Sequence, residues 1–257
     1  MKPLRYLVPV ALLFAAAAAP AQQSDATLTA RLEALAAQGN AEAAYHAGMA
    51  FHMGLNGAAK DPAKAFQYFK QSAEGGDPLG AYKLGCFYDG QGEGVVADDA
   101  ELALKHKLVA AKAGYSLAQH DVAKFFYAKG ETDQAVEWLT ASAKQGYKES
   151  LQALAALYSG EGKLPKNMGR SYAYLALTQG GGSLDKAPEK ARKLLEDLRA
   201  KLTPEEKSEA DALIAGWKFK PTILTMHALA GQRSARALLE RPAAPVKSAE
   251  VQGPKDE

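Results

Sequence analysis

The sequence predicts an all-α fold, an α-solenoid in which pairs of helices repeat along a right-handed superhelix. Three observations carry this prediction. The chain is rich in alanine, and no stretch alternates apolar and polar residues in the manner of a strand. Four segments superpose without a gap, each with an apolar residue followed by a small one and an aromatic residue at its end. A second segment follows each of them, with alanines at a fixed spacing in the first three copies and Ser171 and Gln179 at those positions in the fourth. The four first segments are 43–51, 80–88, 118–126 and 150–158.

The N-terminus has the layout of a secretory signal peptide. Lys2 and Arg5 precede an apolar run over residues 6–19, and Ala19-Pro20-Ala21 forms a small-x-small cleavage site. The apolar run is shorter than the ~20 residues that a membrane-spanning helix needs. We therefore expect residues 1–21 to be removed by cleavage after Ala21, which makes the mature protein periplasmic or secreted.

Charge and cysteine content narrow the function classes. The full chain carries 31 basic and 29 acidic residues, so loss of Lys2 and Arg5 with the leader brings the formal net charge to zero. Nucleic-acid-binding proteins usually carry a basic excess on one face, so a nucleic acid is not expected as partner. The single cysteine, Cys86, permits no intramolecular disulfide and lies far from the predicted cleavage site, which excludes a lipid-modified N-terminal cysteine.

Residues 22–40 are predicted to form a helix that caps the start of the array. Apolar residues recur on one face of this helix before Gly39, as expected for a helix that covers the first repeat. These residues are Leu28, Leu32, Leu35 and Ala36.

The repeats occupy residues 41–182. Small residues in the first helix and alanines in the second let the two backbones approach closely, while aromatic side chains fill the space between pairs. One pair cannot bury its own apolar stripe, so successive pairs must stack. In this register, changing Trp138 or Tyr158 to alanine should destabilise the protein by ~3 to 5 kcal/mol.

The repeat motif also resembles a known family. The pattern A-x-x-x-L-G-x-x-Y, a glycine-rich link and then 61–76, DPAKAFQYFKQSAEGG, is similar to the Sel-1-like repeat, a relative of the tetratricopeptide repeat. The third copy departs from the pattern because it lacks the glycine link, and the fourth has Gln179 where alanine is expected. The resemblance implies a protein-interaction scaffold in envelope assembly, signalling or regulation of cell-wall enzymes.

Residues 183–240 are predicted to cap the other end. A charged helix spans 187–202, and Thr203-Pro-Glu-Glu206 forms a capping box that begins a helix reaching Trp217. Residues 222–240 suggest one more short helix, which the pattern does not place. The composition of residues 241–257, rich in proline, alanine and charge, predicts a disordered tail.

The segment 88–95, YDGQGEGV, is glycine-rich and invites comparison with a phosphate-binding loop. Such a loop follows a strand and opens a helix, whereas this segment links two predicted helices. Glycines recur at the corresponding places in the first and fourth copies, at Gly54, Gly57 and Gly160. We therefore expect left-handed backbone angles that end a helix, and no nucleotide.

A cluster of histidine and methionine residues in the first repeat could either bind a metal ion or form part of a partner-binding surface. His46, Met49, His52 and Met53 fall close together on one predicted helix, with ligand types that suit a copper ion. Met49, however, shares its repeat position with Cys86 and Lys124, so this position varies as a binding surface would. No metal or cofactor is therefore predicted, and a metal at this cluster remains the alternative.

The chain is predicted not to be an enzyme. Cys86 lies in an apolar helical context, and Ser159 has no G-x-S-x-G motif around it. The resemblance brings an alternative, because some exported relatives rich in disulfides are linked to β-lactam binding or hydrolysis. This chain lacks their cysteine pairs and an S-x-x-K motif, so a β-lactam-interacting or cell-wall enzyme is the second reading.

The remaining prediction is recognition of a peptide or protein segment. First helices of stacked pairs line a concave face, and a helical spacing of about 0, 3, 7 and 10 selects the residues on it. Aromatic rings there would supply contact area, and Lys124 or Asp89 would fix the register of the ligand. Tyr45 and Tyr82 could instead pack on the adjacent repeat. The predicted partner-binding residues are Tyr45, Met49, His52, Tyr82, Asp89, His120, Lys124, Tyr127 and Gln152.

Overall fold

The computed structural model describes residues 20–92, 94–160, 162–181, 184 and 187–241, with side chains from residue 28 onward. Within these residues every regular element is helical, so the predicted all-α class is confirmed. The predicted cleaved leader lies almost wholly outside them, as does the predicted tail beyond Arg241. The helices are α1 Pro20–Ala37, α2 Ala41–Met53, α3 Pro62–Glu74, α4 Pro78–Cys86, α5 Ala100–Lys112, α6 Ser116–Ala128, α7 Thr132–Lys144, α8 Lys148–Tyr158, α9 Met168–Leu177, α10 Glu189–Ala200, α11 Pro204–Gly216, α12 Ile223–Ala230 and α13 Gln232–Glu240.

Consecutive helices pack on one another from α1 through α9, which is the contact pattern of a solenoid. The first helices of the four predicted pairs are α2, α4, α6 and α8, and the second helices are α3, α5, α7 and α9. Helix α1 packs on α2 and covers the first pair with the buried residues Leu28, Leu32 and Ala36. No helix in the described part of the chain is both long and apolar enough to cross a membrane.

The close approach of paired helices depends on the small residue in each first helix. A Cβ atom added to Gly48 would lie 2.7 Å from the ring of Phe69, and one added to Gly85 would lie 2.9 Å from the carbonyl oxygen of Ala103. In α6 the same repeat position holds an alanine, Ala123, which is buried. The glycines are therefore required by packing, as the sequence pattern predicts.

Helix starts are fixed by side-chain caps that the sequence supplies. Asn40, Asp61 and Asp99 each accept a hydrogen bond from a backbone N–H in the first turn of α2, α3 and α5. The predicted capping box is present, because the Thr203 hydroxyl accepts from the Glu206 N–H while the Glu206 carboxylate accepts from the Thr203 N–H. Each cap contributes about 1 kcal/mol to its helix.

The glycine-rich segment after α4 is a connection between two helices. Helix α4 continues into a π-helical turn, Phe87–Gln91, inside which Asp89 and Gly90 leave the helical region. Gly90 has φ 83° and Gly94 has φ 79°, so the prediction of left-handed glycines is confirmed at both, but it is wrong at Gly92, which has φ −77°. The third pair has a shorter connection, as expected, and it keeps one left-handed glycine, Gly130.

The C-terminal part departs from the sequence prediction. Helix α11 packs on α9, but the segment after it contains two short helices where only one unplaced helix was expected. Residues 218–241, here called the strap, run back along the solenoid to α1 and α2. The hydrophobic periodicity of so short a segment does not encode this path, because the contacts that hold it are made to distant residues.

Candidate partner-binding face

Polar contacts attach the strap to the ends of two repeats. The Thr222 hydroxyl donates to the Gly114 carbonyl at 2.8 Å, and the Thr225 hydroxyl donates to Gln145 Oε1 at 2.6 Å. The N–H of Ser116, at the start of α6, donates to the Thr225 hydroxyl at 3.0 Å. Thr225 is buried, so these bonds form in a site largely shielded from water.

Apolar contacts continue the strap toward the N-terminal end. Leu224 and Ala228 pack against the core cluster that contains Tyr45 and Leu79. Farther along, Leu238 is buried in the cluster formed by α1 and α2. The strap therefore covers the beginnings of the first helices in the first three repeats, which are part of the predicted concave face.

Two of the predicted partner-binding residues belong to the core. Tyr45 and Tyr82 are only 7% and 5% exposed, and burial raises the pKa of both phenols. The Tyr82 hydroxyl donates to Asp121 at 3.2 Å, which ties α4 to the next repeat. Their assignment to the partner surface is thus corrected, and the alternative, packing between repeats, describes them. The physical reason is that both rings pack on neighbouring helices, Tyr45 beside Phe69 and Tyr82 beside Tyr115, with ring centroids 6.4 and 5.0 Å apart.

Asp89 is predicted to fix the register of a ligand, but in the structure it has an internal partner. Its carboxylate accepts a hydrogen bond from the ammonium of Lys107, which also lies 3.0 Å from Asp121. Burial lowers the pKa of Lys107, but the hydrogen bond to Asp89 and the charge of Asp121 outweigh it and raise the pKa. The Asp89 side chain stays about half exposed, at the edge of the π-helical turn.

The cluster considered for copper is divided by the structure. The ring of His52 packs against Phe69 and Phe87, with centroid distances of 6.1 and 5.6 Å. Met49 is partly buried near the same core, and Met53 is 56% exposed at the end of α2. His46 instead lies beside His227 of the strap, with ring centroids 5.9 Å apart.

His120 is half-buried and is engaged by neighbouring side chains. Its Nδ1 lies 2.9 Å from the Ser150 hydroxyl, which donates to the Ser142 hydroxyl at 2.8 Å. Ser142 in turn donates to the Ser116 carbonyl at 2.8 Å. Burial is the main cause that lowers the pKa of His120. This chain of polar groups links α6, α7 and α8, so His120 contributes mainly to the joint between repeats.

An open groove lies between α6 and α8, beyond the strap. Its volume is about 330 Å³, and its lining is mostly apolar. Two predicted residues, Lys124 and Tyr127, line it, and the exposed Gln152 neighbours the lining residue Ala153 on α8. The lining residues are Ala123, Lys124, Tyr127, Leu139, Ala153, Ala156, Leu157 and Gly162.

A smaller cavity of about 210 Å³ lies on the other side of α6 and shares Lys124 with the groove. Asp89, Lys107 and Asp121 line it, so it is charged where the groove is apolar. Sequence reasoning missed Leu139 and Ala153 as lining residues of the groove. The sequence signal that could have predicted them is the pair of small residues Ala153 and Ala156, three positions apart on α8. Their short side chains leave space next to Leu139 of α7.

Candidate nucleophiles offer little for catalysis. Cys86 is buried, and burial raises the pKa of its thiol, which keeps it protonated and unreactive. The Ser159 hydroxyl donates to the Ala156 carbonyl at 2.8 Å. A stacked array of helix pairs with an open apolar groove defines an α-solenoid repeat protein, a class that uses its extended surfaces for binding.

The class narrows to one family on comparison with known proteins. The Sel1 repeat model matches residues 41–77, 78–115, 116–147, 149–178 and 170–196. The chain therefore belongs to the Sel1 repeat family, whose members are generally protein-interaction adaptors and mainly not enzymes. The fifth match reaches residue 196, beyond the end at 182 that the sequence pattern indicates.

Each individual match covers only part of this chain. Chitin synthase regulatory factor 4 of Schizosaccharomyces pombe is 28% identical over 119 residues, which is 46% of this chain and 19% of that protein. The chain thus spans about a fifth of the curated relative that it matches. Among solved structures, a protective antigen of uropathogenic Escherichia coli with an SLR fold is 21% identical, with a TM-score of 0.43, covering 88% of this chain and 53% of the antigen. A Sel1 repeat protein from Oxalobacter formigenes is 28% identical, with a TM-score of 0.43. The match covers 49% of this chain and 95% of that protein.

Proposed function

We propose that the protein is an exported adaptor that binds a peptide or protein segment in the groove between α6 and α8. The groove itself is the observation that supports this function. It is apolar, it lies on first helices, and the strap leaves it open while covering the corresponding surface of the earlier repeats. Membership of a family of interaction adaptors supports the same class of function.

The chemistry of the groove indicates the kind of segment that fits. Leu139, Leu157 and the ring of Tyr127 offer apolar contact, and Ala153 and Ala156 leave room for a side chain from the ligand. The exposed ammonium of Lys124 stands on the rim, beside the apolar lining. The proposed ligand therefore places an aliphatic or aromatic side chain in the groove, next to an acidic residue that meets Lys124.

Export is part of the proposal and rests on the N-terminal sequence. The mature chain would begin at Gln22, after cleavage behind Ala21. Cell fractionation combined with intact-mass measurement tests this directly. A mass that starts at Gln22 in the periplasmic or secreted fraction supports export, and an intact Met1 form in the cytoplasm contradicts it.

Site-specific crosslinking tests the groove. A photoreactive amino acid at Gln152 would capture the partner in living cells, and the purified partner would then be titrated against variants. Ala156→Arg should weaken that binding by at least about tenfold, because it fills the groove and adds a positive charge beside Lys124. Ala156 is exposed, so the substitution leaves the core of α8 intact.

The matched control is Ala63→Arg, the same change at an exposed position of α3 in the first repeat. It should bind the partner as the unmodified protein does. Equal binding by both variants would show that the groove is not the binding site. Lys124→Glu adds a second test, because charge reversal should weaken binding to an acidic segment most strongly at low salt.

A further inference from the structure

Three potential metal ligands meet where the strap touches the first repeat. Glu42 and His46 lie one turn apart on α2, and His227 lies on α12 of the strap. Their ligand atoms all lie within 4.8 Å of one another. His227 Nε2 is 3.3 Å from Glu42 Oε1, and His46 Nε2 is 4.0 Å from the same oxygen.

Two of these atoms are buried without a hydrogen-bond partner. His46 is only 5% exposed, yet its Nε2 accepts and donates no hydrogen bond, and Glu42 Oε1 is likewise unsatisfied. A buried polar atom without a partner costs about 1 to 3 kcal/mol, so native proteins seldom leave one that no ligand or water satisfies. The 3.3 Å contact of His227 with Glu42 does not meet hydrogen-bond geometry.

A neighbouring guanidinium orients the Glu42 carboxylate. Arg241 donates to Glu42 Oε2 at 2.9 Å, which holds the carboxylate with Oε1 turned toward the two imidazoles. The imidazole of His46 makes no hydrogen bond through Nε2, so this nitrogen is available to a metal ion.

We propose that Glu42, His46 and His227 bind a divalent transition-metal ion such as Zn²⁺, and that this metal clasp fastens the strap to the first repeat. Zinc bonds of ~2.0 to 2.2 Å in a tetrahedron place ligand atoms about 3.4 Å apart. The 3.3 Å separation already fits, whereas the 4.0 Å separation and the separation of the two imidazole nitrogens, at most 4.8 Å, must shorten by rotation of the side chains when the ion binds. Two nitrogens and one carboxylate oxygen suit zinc, copper or nickel better than calcium or magnesium.

The surroundings leave a place for a fourth ligand. A cavity of about 480 Å³ borders Glu42 and His227 and is also lined by Asp77 and Thr222. A water molecule in this cavity would complete the coordination. Asp77 adds an acidic group beside the clasp, although its own carboxylate already caps α4 through the Gly80 N–H. The site differs from the cluster that the sequence suggested, since only His46 is common to both.

Zinc titration of the full mature chain, stripped with a chelator, tests the clasp. Calorimetry should show binding of one Zn²⁺ per chain, and thermal melting should shift upward by several degrees at 100-fold excess over the dissociation constant. His227→Gln and Glu42→Gln should each weaken Zn²⁺ binding by more than about 100-fold, beyond the loss caused by groups that only support a ligand. The matched control, His106→Gln, changes a partly exposed histidine on α5 and should bind Zn²⁺ as the unmodified chain does.

The same experiments can also contradict the metal clasp. An unmodified chain whose melting temperature does not respond to Zn²⁺ overturns the proposal and leaves the 3.3 Å contact between Glu42 and His227 as the description of the site. Zn²⁺ binding that survives both His227→Gln and Glu42→Gln also overturns it. Should His227→Gln unfold, Co²⁺ bound to the unmodified chain supplies a second measurement, since visible absorption typical of tetrahedral nitrogen and oxygen ligation supports the clasp and its absence contradicts it.

Discussion

Two parts of the same first-helix surface differ in what covers them. In the first repeats the strap lies over the starts of α2 and α4, and Leu224 packs against the cluster that holds Tyr45. Between α6 and α8 the corresponding surface is open, and Lys124 and Tyr127 line a groove. The comparison teaches that repeat position alone does not determine exposure. The path of a distant C-terminal segment decides which copy of the surface faces solvent.

Removing the strap gives the largest expected effect on this comparison. A chain that ends at Trp217 loses the burial of Leu238 and Ala235 and the polar contacts of Thr225. We expect the free energy of unfolding to fall by on the order of 5 kcal/mol, from the lost apolar burial and hydrogen bonds together. Urea unfolding followed by circular dichroism measures it, and an apolar dye should bind the uncovered first repeats.

If the truncated chain keeps the unfolding midpoint of the full chain, the strap is not part of the folded core. The truncated chain also tests the groove, because its partner should still bind there once the remaining repeats are shown to be folded. Loss of partner binding with intact helicity would mean that the strap contributes to the ligand site.

A pair of tyrosine substitutions compares the two regions directly. Tyr45→Ala removes a core ring beneath the strap and should cost ~3 to 5 kcal/mol, as for other buried aromatic residues. Tyr127→Ala removes a partly buried ring at the open groove. It should lower the free energy of unfolding by about 1 kcal/mol and also weaken binding of the partner. Chemical unfolding of both variants measures the difference, and equal losses of stability would contradict the assignment of Tyr45 to the core and Tyr127 to the groove.

The helices of the array followed from local sequence. The apolar-small pairs such as Leu84-Gly85 encode close helix contacts, and caps such as Asp61 and Thr203 mark helix starts within one residue. These signals are local, because the atoms involved lie within one helix or in two adjacent ones. For that reason the helix pairs, the left-handed glycines and the capping box were all predictable.

The candidate sites were predictable only in part. Lys124 and Tyr127 were found by helical spacing, but the same spacing also selected Tyr45 and Tyr82, which are buried. Spacing gives the direction of a side chain on its helix and not what packs against it. The strap depends on pairs such as Thr225 with Gln145, which lie 80 residues apart in the chain. Nothing in a single sequence marks such a pair, so the covered face and the clasp required the structure.

A smaller effect is expected from the polar joint of the strap. Thr225→Val keeps the shape of the buried side chain but leaves the Ser116 N–H without its hydroxyl acceptor, while Gln145 Oε1 loses its 2.6 Å bond and keeps the bond from the Thr222 N–H. The expected cost is about 1 to 3 kcal/mol, the penalty for buried polar atoms that lose a hydrogen bond. Thr140→Val, the same change at a partly buried position of α7, is the matched control and should alter stability by less than half as much. A Thr225→Val midpoint equal to that of the control would show that this joint does not hold the strap.

The smallest expected effect is a pH dependence at the joint beside the groove. Burial lowers the pKa of His120, with Lys124 lowering it further and Asp121 and Glu149 opposing the shift. The folded state therefore binds a proton less readily than the unfolded chain, so this contribution to stability is complete above the ordinary histidine pKa of about 6.5 and is lost as the pH falls below it. The melting temperature should drop between pH 7 and pH 5, and His120→Gln should drop less over the same range. Because His46 and His106 also have a lowered pKa, only the difference between the two proteins reports on His120. Parallel pH profiles would contradict a neutral His120 in the fold.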